Sequence, residues 1–308
     1  MSLPTVEEIG AKMDALGLWK LLEPYNFAVK PAKSAIPYFC IVMPGDSRPV
    51  KVRFLMLDGW QTLHDFIRTR IDHNFGFYSS PAEFPHYELM VLDKGPVSLF
   101  RHDTGFMPGL ASDAQRQLVA KVLWEAYGVM MRIEADRQLP LSFASERAIF
   151  ARVESGDGTW SDAPLEIPSP RAHVEKISFA KEDIAKAKDL PLIRDEAVEL
   201  DFRLLPRLMT NEKPRPRSVY EIRAIFSATG NLAFSGRTSI RGDSSLRSMW
   251  EEMPGQVLKM FIRLGRFPGE IRVCSGRVFR MLRPLCMELP FRLSLHDQLP
   301  RLEESFKI

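Results

Sequence analysis

Apolar residues in the first half of the chain recur at two different spacings, which predict both helices and strands. Positions three and four apart predict helices over residues 5–23, 60–71 and 112–136. Short apolar runs predict strands over residues 38–43, 50–57 and 86–92. A loop containing Pro and Gly joins the first two strands, so we expect them to form a hairpin. The first half therefore predicts an α+β domain in which helices pack on a small sheet.

The second half has a clearer order of elements, because tight-turn residues at 229–231 separate two of its apolar runs. The predicted strands cover residues 198–205, 219–228, 232–240, 270–274 and 291–295. The predicted helices cover residues 244–264, 277–289 and 297–306. We expect Pro254 and Gly255 to kink or split the first of these helices and Asp297 to begin the last. The resulting order is β-β-β-α-β-α-β-α.

A chain of 308 residues favours two domains, each large enough for its own core. Residues 155–172 are rich in Gly, Ser and Pro, which is typical of a linker. The prediction is an N-terminal α+β domain, a linker with a short helix, and a basic C-terminal α/β domain, over residues 1–154, 155–195 and 196–308. Trp160 lies inside the linker, where we expect it to fill a groove between the domains or to anchor a partner.

The composition argues against several classes of protein. No run of about 18 apolar residues occurs, so no membrane span is predicted, and the acidic first residues lack the pattern of a signal peptide. Cys40, Cys274 and Cys286 lie far apart without a CxxC motif, which argues against a disulfide framework or a structural zinc site. We therefore expect a cytoplasmic protein that does not act at a membrane.

Motifs for catalysis and cofactor binding are missing from the sequence. It contains no P-loop, no strand-linked GxGxxG, no GxSxG and no HExxH. His73 and His86, with Glu83 near His86, form a weakly supported cluster. Cys274 is the best thiol candidate, and the alternative is a small buried residue. The sequence thus predicts no catalytic residue, no metal and no cofactor.

Charge is divided unevenly along the chain, although the total is only +3. Residues 203–308 hold 19 basic and 10 acidic residues, a net charge of +9, whereas residues 1–202 carry −6. Sixteen of the 19 basic residues are Arg, whose planar fork suits phosphate and carboxylate groups. This asymmetry raises the hypothesis of nucleic-acid binding. The alternatives are attraction between the two halves or simply solvated faces.

Two groups of basic residues are the candidates for phosphate binding. One group surrounds the predicted helix over 277–289, and the other lies on a Pro-rich loop. We favour a solvated helix face for the first group and a soluble loop for the second. The candidates are Arg263, Arg266, Arg272, Arg277, Arg280, Arg283, Lys213, Arg215 and Arg217.

Several short motifs between residues 198 and 306 resemble an uncharacterised bacterial domain family. They are the stretch from Glu199 to Pro206 (ELDFRLLP), the Thr229-Gly230 turn, FPGEIRV over 267–273, LRPL over 282–285 and LPRLEE over 299–304. The first half is similar to the N-terminal companion domain of that family. The resemblance implies a two-domain protein of unknown function, because these motifs are structural and carry no reaction.

The predicted order of strands and helices in the second half resembles the ribonuclease H-like fold. Nucleases of that fold hold two metal ions with carboxylates. The matching acids are Asp201 on the first strand, Glu251 or Glu252 on the first helix, and Asp297 at the last helix, but no acid follows the fourth strand. The leading hypothesis is therefore a non-enzymatic protein with a degenerate ribonuclease H-like domain that binds a protein or a nucleic acid. The alternative is a metal-dependent nuclease that uses Asp201, either Glu251 or Glu252, and Asp297 as metal ligands.

Overall fold

The computed structural model describes most of the chain. The described residues are 3–16, 27–44, 50–72, 84–92, 97–143, 145, 147–169, 176–209, 215–240 and 245–306. They divide into two compact units. The first unit covers residues 1–67, 84–103 and 108–171, and the second covers residues 68–83, 104–107 and 172–308.

One eight-stranded sheet forms the frame of the first unit. Its strands are β1 (Phe27–Lys30), β2 (Tyr38–Pro44), β3 (Val50–Asp58), β4 (His86–Leu92), β5 (Ser98–His102), β6 (Gly109–Leu110), β7 (Ala148–Glu154) and β8 (Trp160–Glu166). Their order across the sheet is β6-β5-β4-β3-β2-β1-β7-β8. The pairs are antiparallel except for β1 and β7, which are parallel and bring Ala28 opposite Ala151. The strand β7, which comes late in the chain of the first unit, thus lies beside the first strand, β1.

Helices lie on both faces of this sheet. They are α1 (Val6–Leu16), α2 (Gly59–Asp72), α3 (Asp113–Ala135) and α4 (Leu139–Phe143). Ser112 and Gln115 begin α3 with a capping box. Side chains of α1 and α3 share a core with one face of the sheet. On the opposite face, the ring of Trp60 from α2 packs against Phe39 at 4.6 Å between centroids. The central strands are therefore apolar on both sides, which explains their continuous apolar runs.

The second unit contains a five-stranded mixed sheet. Its strands are β9 (Leu192–Met209), β10 (Ser218–Phe226), β11 (Leu232–Thr238), β12 (Phe267–Val273) and β13 (Arg292–Leu295). The order is β11-β10-β9-β12-β13, where β9, β10 and β11 pair antiparallel while β12 is parallel to both β9 and β13. The helices of this unit are α5 (Lys181–Lys188), α6 (Leu246–Leu264), α7 (Gly276–Glu288) and α8 (Pro300–Phe306).

Alternation along β9 sorts the second sheet into an apolar face and a polar face. Val198, Leu200 and Phe202 are buried in a core shared with α6 and α7. The intervening residues of β9 point to the other face, where α8 packs its buried Leu302. The ring of Trp250 on α6 meets Phe202 edge-on at 4.5 Å between centroids, which fixes α6 on the apolar face.

The predicted mixture of helices and strands is confirmed, and several details of the prediction need correction. The sheet of the first half is large rather than small, because β1, β5, β6, β7 and β8 join the three strands that the sequence predicted. The segment predicted as a linker includes β8, which pairs with β7 as a hairpin. Trp160 begins that strand and packs against the core of the first unit.

Two details of the second half also differ from the prediction. Pro254 does not split α6, which runs from residue 246 to 264 with Pro254 buried among its core-facing residues. We attribute this continuity to the packing of that face, which offsets the lost hydrogen bond. Asp297 does not begin the last helix, since α8 starts at Pro300. None of the helices in the described residues is both long enough and apolar enough to cross a bilayer.

Substituting alanine at Gly269 is expected to destabilise the second unit by about 1–3 kcal/mol. A Cβ at this position of β12 would lie 2.1 Å from the carbonyl oxygen of Arg194, a backbone atom of β9 that cannot move aside. Gly128 provides a matched control, because it is exposed inside α3 with open space around it. Gly128→Ala should stabilise the first unit by about 1 kcal/mol. Denaturant unfolding measures the free energy of unfolding of both variants. A change of the same sign in the two variants would contradict the close approach of Gly269 to the backbone of Arg194.

Candidate functional site

The polar face of the second sheet holds four buried carboxylates. They are Glu199, Asp201, Glu221 and Glu270. Each has a partner within the unit: Glu221 accepts a hydrogen bond from Arg223 Nη2 at 2.8 Å, and Glu199 accepts one from the backbone N–H of Leu302 at 2.8 Å. Hydrogen bonds of this kind anchor the buried carboxylates in place.

Glu270 on β12 is the most heavily bonded of these carboxylates. It accepts hydrogen bonds from Arg272 Nε at 2.9 Å, from Arg292 Nη2 at 2.8 Å and from Ser294 Oγ at 2.7 Å. Burial by itself would raise the pKa of Glu270, but these donors outweigh it and lower the pKa. Arg272 and Arg292, two basic side chains of this face, are therefore used in hydrogen bonds to Glu270.

Asp201 and the helical acids of the nuclease hypothesis lie on opposite faces of the sheet. Asp201 points away from the core that contains Phe202, and it pairs with Arg203 while accepting the N–H of Phe202 at 2.8 Å. Glu251 is on α6 and accepts from Lys176 N at 3.1 Å and Arg247 Nε at 3.0 Å. Because α6 covers the apolar face, the sheet separates the two carboxylates.

Glu252 and Asp297 do not complete a metal site either. Glu252 borders a cleft beside α6, and Asp297 is exposed in the segment before α8. Within the described ranges, no combination of three metal-ligating side chains includes any of the four predicted acids.

Most of the predicted phosphate-binding residues already have partners in the second unit. Arg266 pairs with Glu196, and Arg272 pairs with Glu270. The guanidinium of Arg277 lies 4.8 Å from the centre of the Trp250 ring. These three side chains therefore contribute to the structure of the unit.

The loop candidates bond the backbone. Arg215 Nε donates to the carbonyl of Met107 at 2.8 Å, and Arg217 donates to the carbonyl of Ile240. Lys213 lies outside the described residues. Arg263, Arg280 and Arg283 are exposed to solvent.

Cys274 has the character of a partly buried packing residue rather than a nucleophile. It packs with Leu299 and Leu302 of the polar face. Burial and the nearby carboxylate of Asp201 raise the pKa of its thiol to about 11, so the thiol is protonated at neutral pH. The structure thus supports the second of the two interpretations of this cysteine.

An open cleft of about 530 Å³ lies along α6 in the second unit. Acidic and basic side chains both line it, including Asp183, Lys259 and Arg263. Lys259 Nζ and Asp183 Oδ2 are 3.9 Å apart. With charges of both signs in an open cleft, the lining does not select a ligand of one charge.

The first unit contains a buried cluster of ionisable groups that the sequence did not reveal. His86 and Glu88 lie two residues apart on one face of β4, and His102 lies opposite His86 on β5. The three residues are 1%, 3% and 2% exposed. The two imidazole rings stack with centroids 4.2 Å apart and planes 9° apart. Glu88 accepts from His102 Nε2 at 2.8 Å and also pairs with Arg53 of β3.

Burial shifts the protonation of this cluster strongly. It lowers the pKa of His86 to about 3, with a further contribution from the neighbouring His102. Burial would raise the pKa of Glu88, but the hydrogen bonds of His102 and Arg53 and the charge of Arg53 hold it at about 2. At neutral pH the cluster therefore contains an ionised carboxylate beside a neutral imidazole.

Sequence reasoning chose a different partner for His86. The predicted partners His73 and Glu83 lie outside the described residues. The observed partner is His102, whose strand β5 was missing from the prediction. The one available signal was the spacing of His86 and Glu88, which puts both on the same face of a predicted strand.

Residues 183–307 match the profile of a family described as Domain of unknown function (DUF6930). This agrees with the resemblance of residues 198–306 to an uncharacterised domain family, and the match covers most of the second unit. A comparison with curated proteins gives no match to the chain. The function of the domain therefore has to be argued from its own side chains.

Proposed function

We propose that the chain is a non-enzymatic binding protein whose second unit is a degenerate ribonuclease H-like domain. The observation that carries this proposal is the separation of Asp201 from Glu251 by the sheet, with each carboxylate bonded to an arginine of its own surroundings. A two-metal nuclease needs its carboxylates around one pair of ions about 4 Å apart. This arrangement of side chains supports binding rather than phosphodiester cleavage.

The topology of the second sheet supports the fold in this proposal. Three antiparallel strands come first, and two parallel strands then extend the sheet on the far side of β9, in the order β11-β10-β9-β12-β13. Helix α6 precedes β12, α7 precedes β13, and α8 follows. We take the two compact units as two domains and the family as bacterial. All three cysteines are free, which suits the reducing cytoplasm that we propose as the location.

We infer that the ligand is a nucleic acid, bound through its phosphates by the exposed arginines of the second unit. Arg263, Arg280 and Arg283 are the exposed members of the predicted set. They belong to a stretch with a net charge of +9, in which Glu221, Glu251 and Glu270 are each paired with an arginine. Exposed arginines are the groups that hold phosphate, and they carry no sequence information by themselves.

The test is fluorescence anisotropy of the full chain with single- and double-stranded DNA and RNA over a series of salt concentrations. We expect binding without sequence preference, and a logarithmic salt slope that becomes shallower by about one unit when Arg283 or Arg280 is replaced by Gln. Arg137→Gln is the matched control, because Arg137 is exposed on the first unit. Its salt slope should equal that of the wild type.

Two results would overturn the proposal. If the anisotropy does not change at low salt, the ligand is not a nucleic acid, and protein partners become the candidates to test next. Cleavage of any of these nucleic acids with Mg²⁺ or Mn²⁺ that is lost in Asp201→Asn would show that the domain is an enzyme. The Arg280→Gln and Arg283→Gln variants must keep the wild-type unfolding midpoint, since exposed substitutions change stability by less than about 0.5 kcal/mol.

A further inference from the structure

The buried cluster of His86, Glu88 and His102 lies in the first unit, apart from the arginines of the proposed function. Ionisable groups are rare in a protein core, because each must be paired or hydrogen-bonded to offset the loss of water. All three residues sit on one face of adjacent strands, so their side chains converge on a single volume. A buried group of three converging ionisable side chains therefore needs a physical explanation.

The hydrogen bonds of the cluster leave one buried imidazole nitrogen without a hydrogen-bond partner in the described part of the chain. His86 Nδ1 lies 3.1 Å from the carbonyl oxygen of Phe84, which requires the proton on Nδ1 and leaves Nε2 as a lone pair. His102 uses Nε2 toward Glu88, and its buried Nδ1 has no hydrogen-bond partner in the described part of the chain. A histidine that donates one N–H to a carbonyl or a carboxylate presents its other nitrogen in the way metal-binding histidines do.

The donor atoms are close enough to share one ion. One nitrogen of each imidazole and one oxygen of Glu88 lie within 4.8 Å of one another. No other trio of this kind occurs among the residues that the structure describes. Two imidazole nitrogens and one carboxylate oxygen are a donor set of zinc and similar ions, whereas Mg²⁺ and Ca²⁺ select oxygen ligands.

We propose that His86, Glu88 and His102 form a binding site for one divalent transition-metal ion of the zinc type. The three side chains supply three ligands, and a tetrahedral ion keeps its fourth position for a water molecule. Arg53 forms an ion pair with the other carboxylate oxygen of Glu88, and this contact fixes the orientation of the carboxylate that would bind the ion.

Binding requires a defined local change. Ligands of tetrahedral zinc at about 2 Å stand roughly 3.3 Å apart, which is closer than the 4.8 Å limit observed here. The imidazole rings are parallel, so at least one must rotate out of the stack to direct its nitrogen at the ion.

The experiment starts from unfolded full-length chain, because the site is buried and an ion enters most readily during folding. The chain is refolded with excess ZnCl₂ or with EDTA, desalted, and assayed for zinc content and melting temperature. We expect one zinc ion retained per chain and a melting temperature several degrees higher than in EDTA. His86→Asn, His102→Asn and Glu88→Gln should each lose the retained zinc.

His296→Asn is the matched control, because His296 is a half-buried histidine of the second unit with Ser294 as its partner. This variant should retain zinc as the wild type does. Failure of the wild type to retain zinc, or retention of zinc by both His86→Asn and His102→Asn, would overturn the proposal.

X-ray absorption at the zinc edge of the refolded wild type provides a measurement that does not depend on the folding of any variant. The expected spectrum shows a shell of N and O atoms with the multiple scattering of two imidazoles. A sulfur shell would overturn the proposal, because it would assign the ion to a free cysteine. Nucleic-acid binding is read out separately by anisotropy, so the two proposals can fail independently.

Discussion

Replacing Phe261 with alanine is expected to lower the free energy of unfolding of the second unit by about 3–5 kcal/mol. Phe261 is fully buried on α6. Its ring meets Phe234 of β11 edge-on at 4.9 Å and Phe267 of β12 at 4.8 Å between centroids. Phe267 in turn stacks on Phe291 at 5.9 Å. Replacing the ring of Phe261 with a methyl group therefore leaves a cavity between α6 and the strands β11 and β12.

Denaturant unfolding of the full chain, followed by circular dichroism, measures this loss. Met287→Ala is the matched control, because Met287 is 82% exposed on α7 and should change the stability by less than about 0.5 kcal/mol. If Phe261→Ala lowered the free energy of unfolding by less than about 1 kcal/mol, the neighbouring aromatic side chains would have rearranged to fill the space. That result would contradict a tightly packed core at this position.

Acidification is expected to destabilise the first unit by about 2 kcal/mol between pH 6.5 and 4.5 through His86 alone. The unfolded chain takes up a proton on this histidine below its ordinary pKa of 6.5. The folded chain resists protonation until its own pKa of about 3. Because the unfolded state binds more protons in this window, stability falls as the pH falls. Glu88 continues the loss below its ordinary pKa of 4.5, since its folded pKa is about 2.

The measurement is denaturant unfolding at several pH values in EDTA, with His86→Gln beside the wild type. Glutamine can still donate to the carbonyl of Phe84 but does not titrate, so its stability should depend much less on pH between 6.5 and 4.5. His296→Gln should follow the wild type. Equal pH dependence in His86→Gln and the wild type would show that this histidine is not buried in the neutral form.

Strong periodicity in the sequence predicted the elements that carry the most buried surface. The helix predicted over 112–136 is α3 (Asp113–Ala135), and the strand predicted over 86–92 is β4 (His86–Leu92). Their patterns are clear because one face of each element enters a core. Short strands at the margin of a sheet, such as β6 (Gly109–Leu110), are too brief for a period to appear.

The chemistry was harder to predict than the fold, and the reason is geometric. Asp201 and Glu251 occur in the right order along the chain, but order does not tell which face of the sheet a residue occupies. His86 and His102 meet only because β4 and β5 pair in one register. A shift of that register by one residue would put His102 on the other face. Sites that depend on cross-strand register are therefore not visible in a single sequence.

The parallel pairing of β1 with β7 has a consequence for synthesis on the ribosome. Ala28 leaves the ribosome early, but its partner Ala151 is made only after most of the first unit. Until then the nascent chain has strands β2 to β6 available and an unpaired edge on β1, which is a template for association with other chains. We therefore expect the first unit to complete its sheet only after β7 and β8 have emerged, and truncations that end before β7 to aggregate.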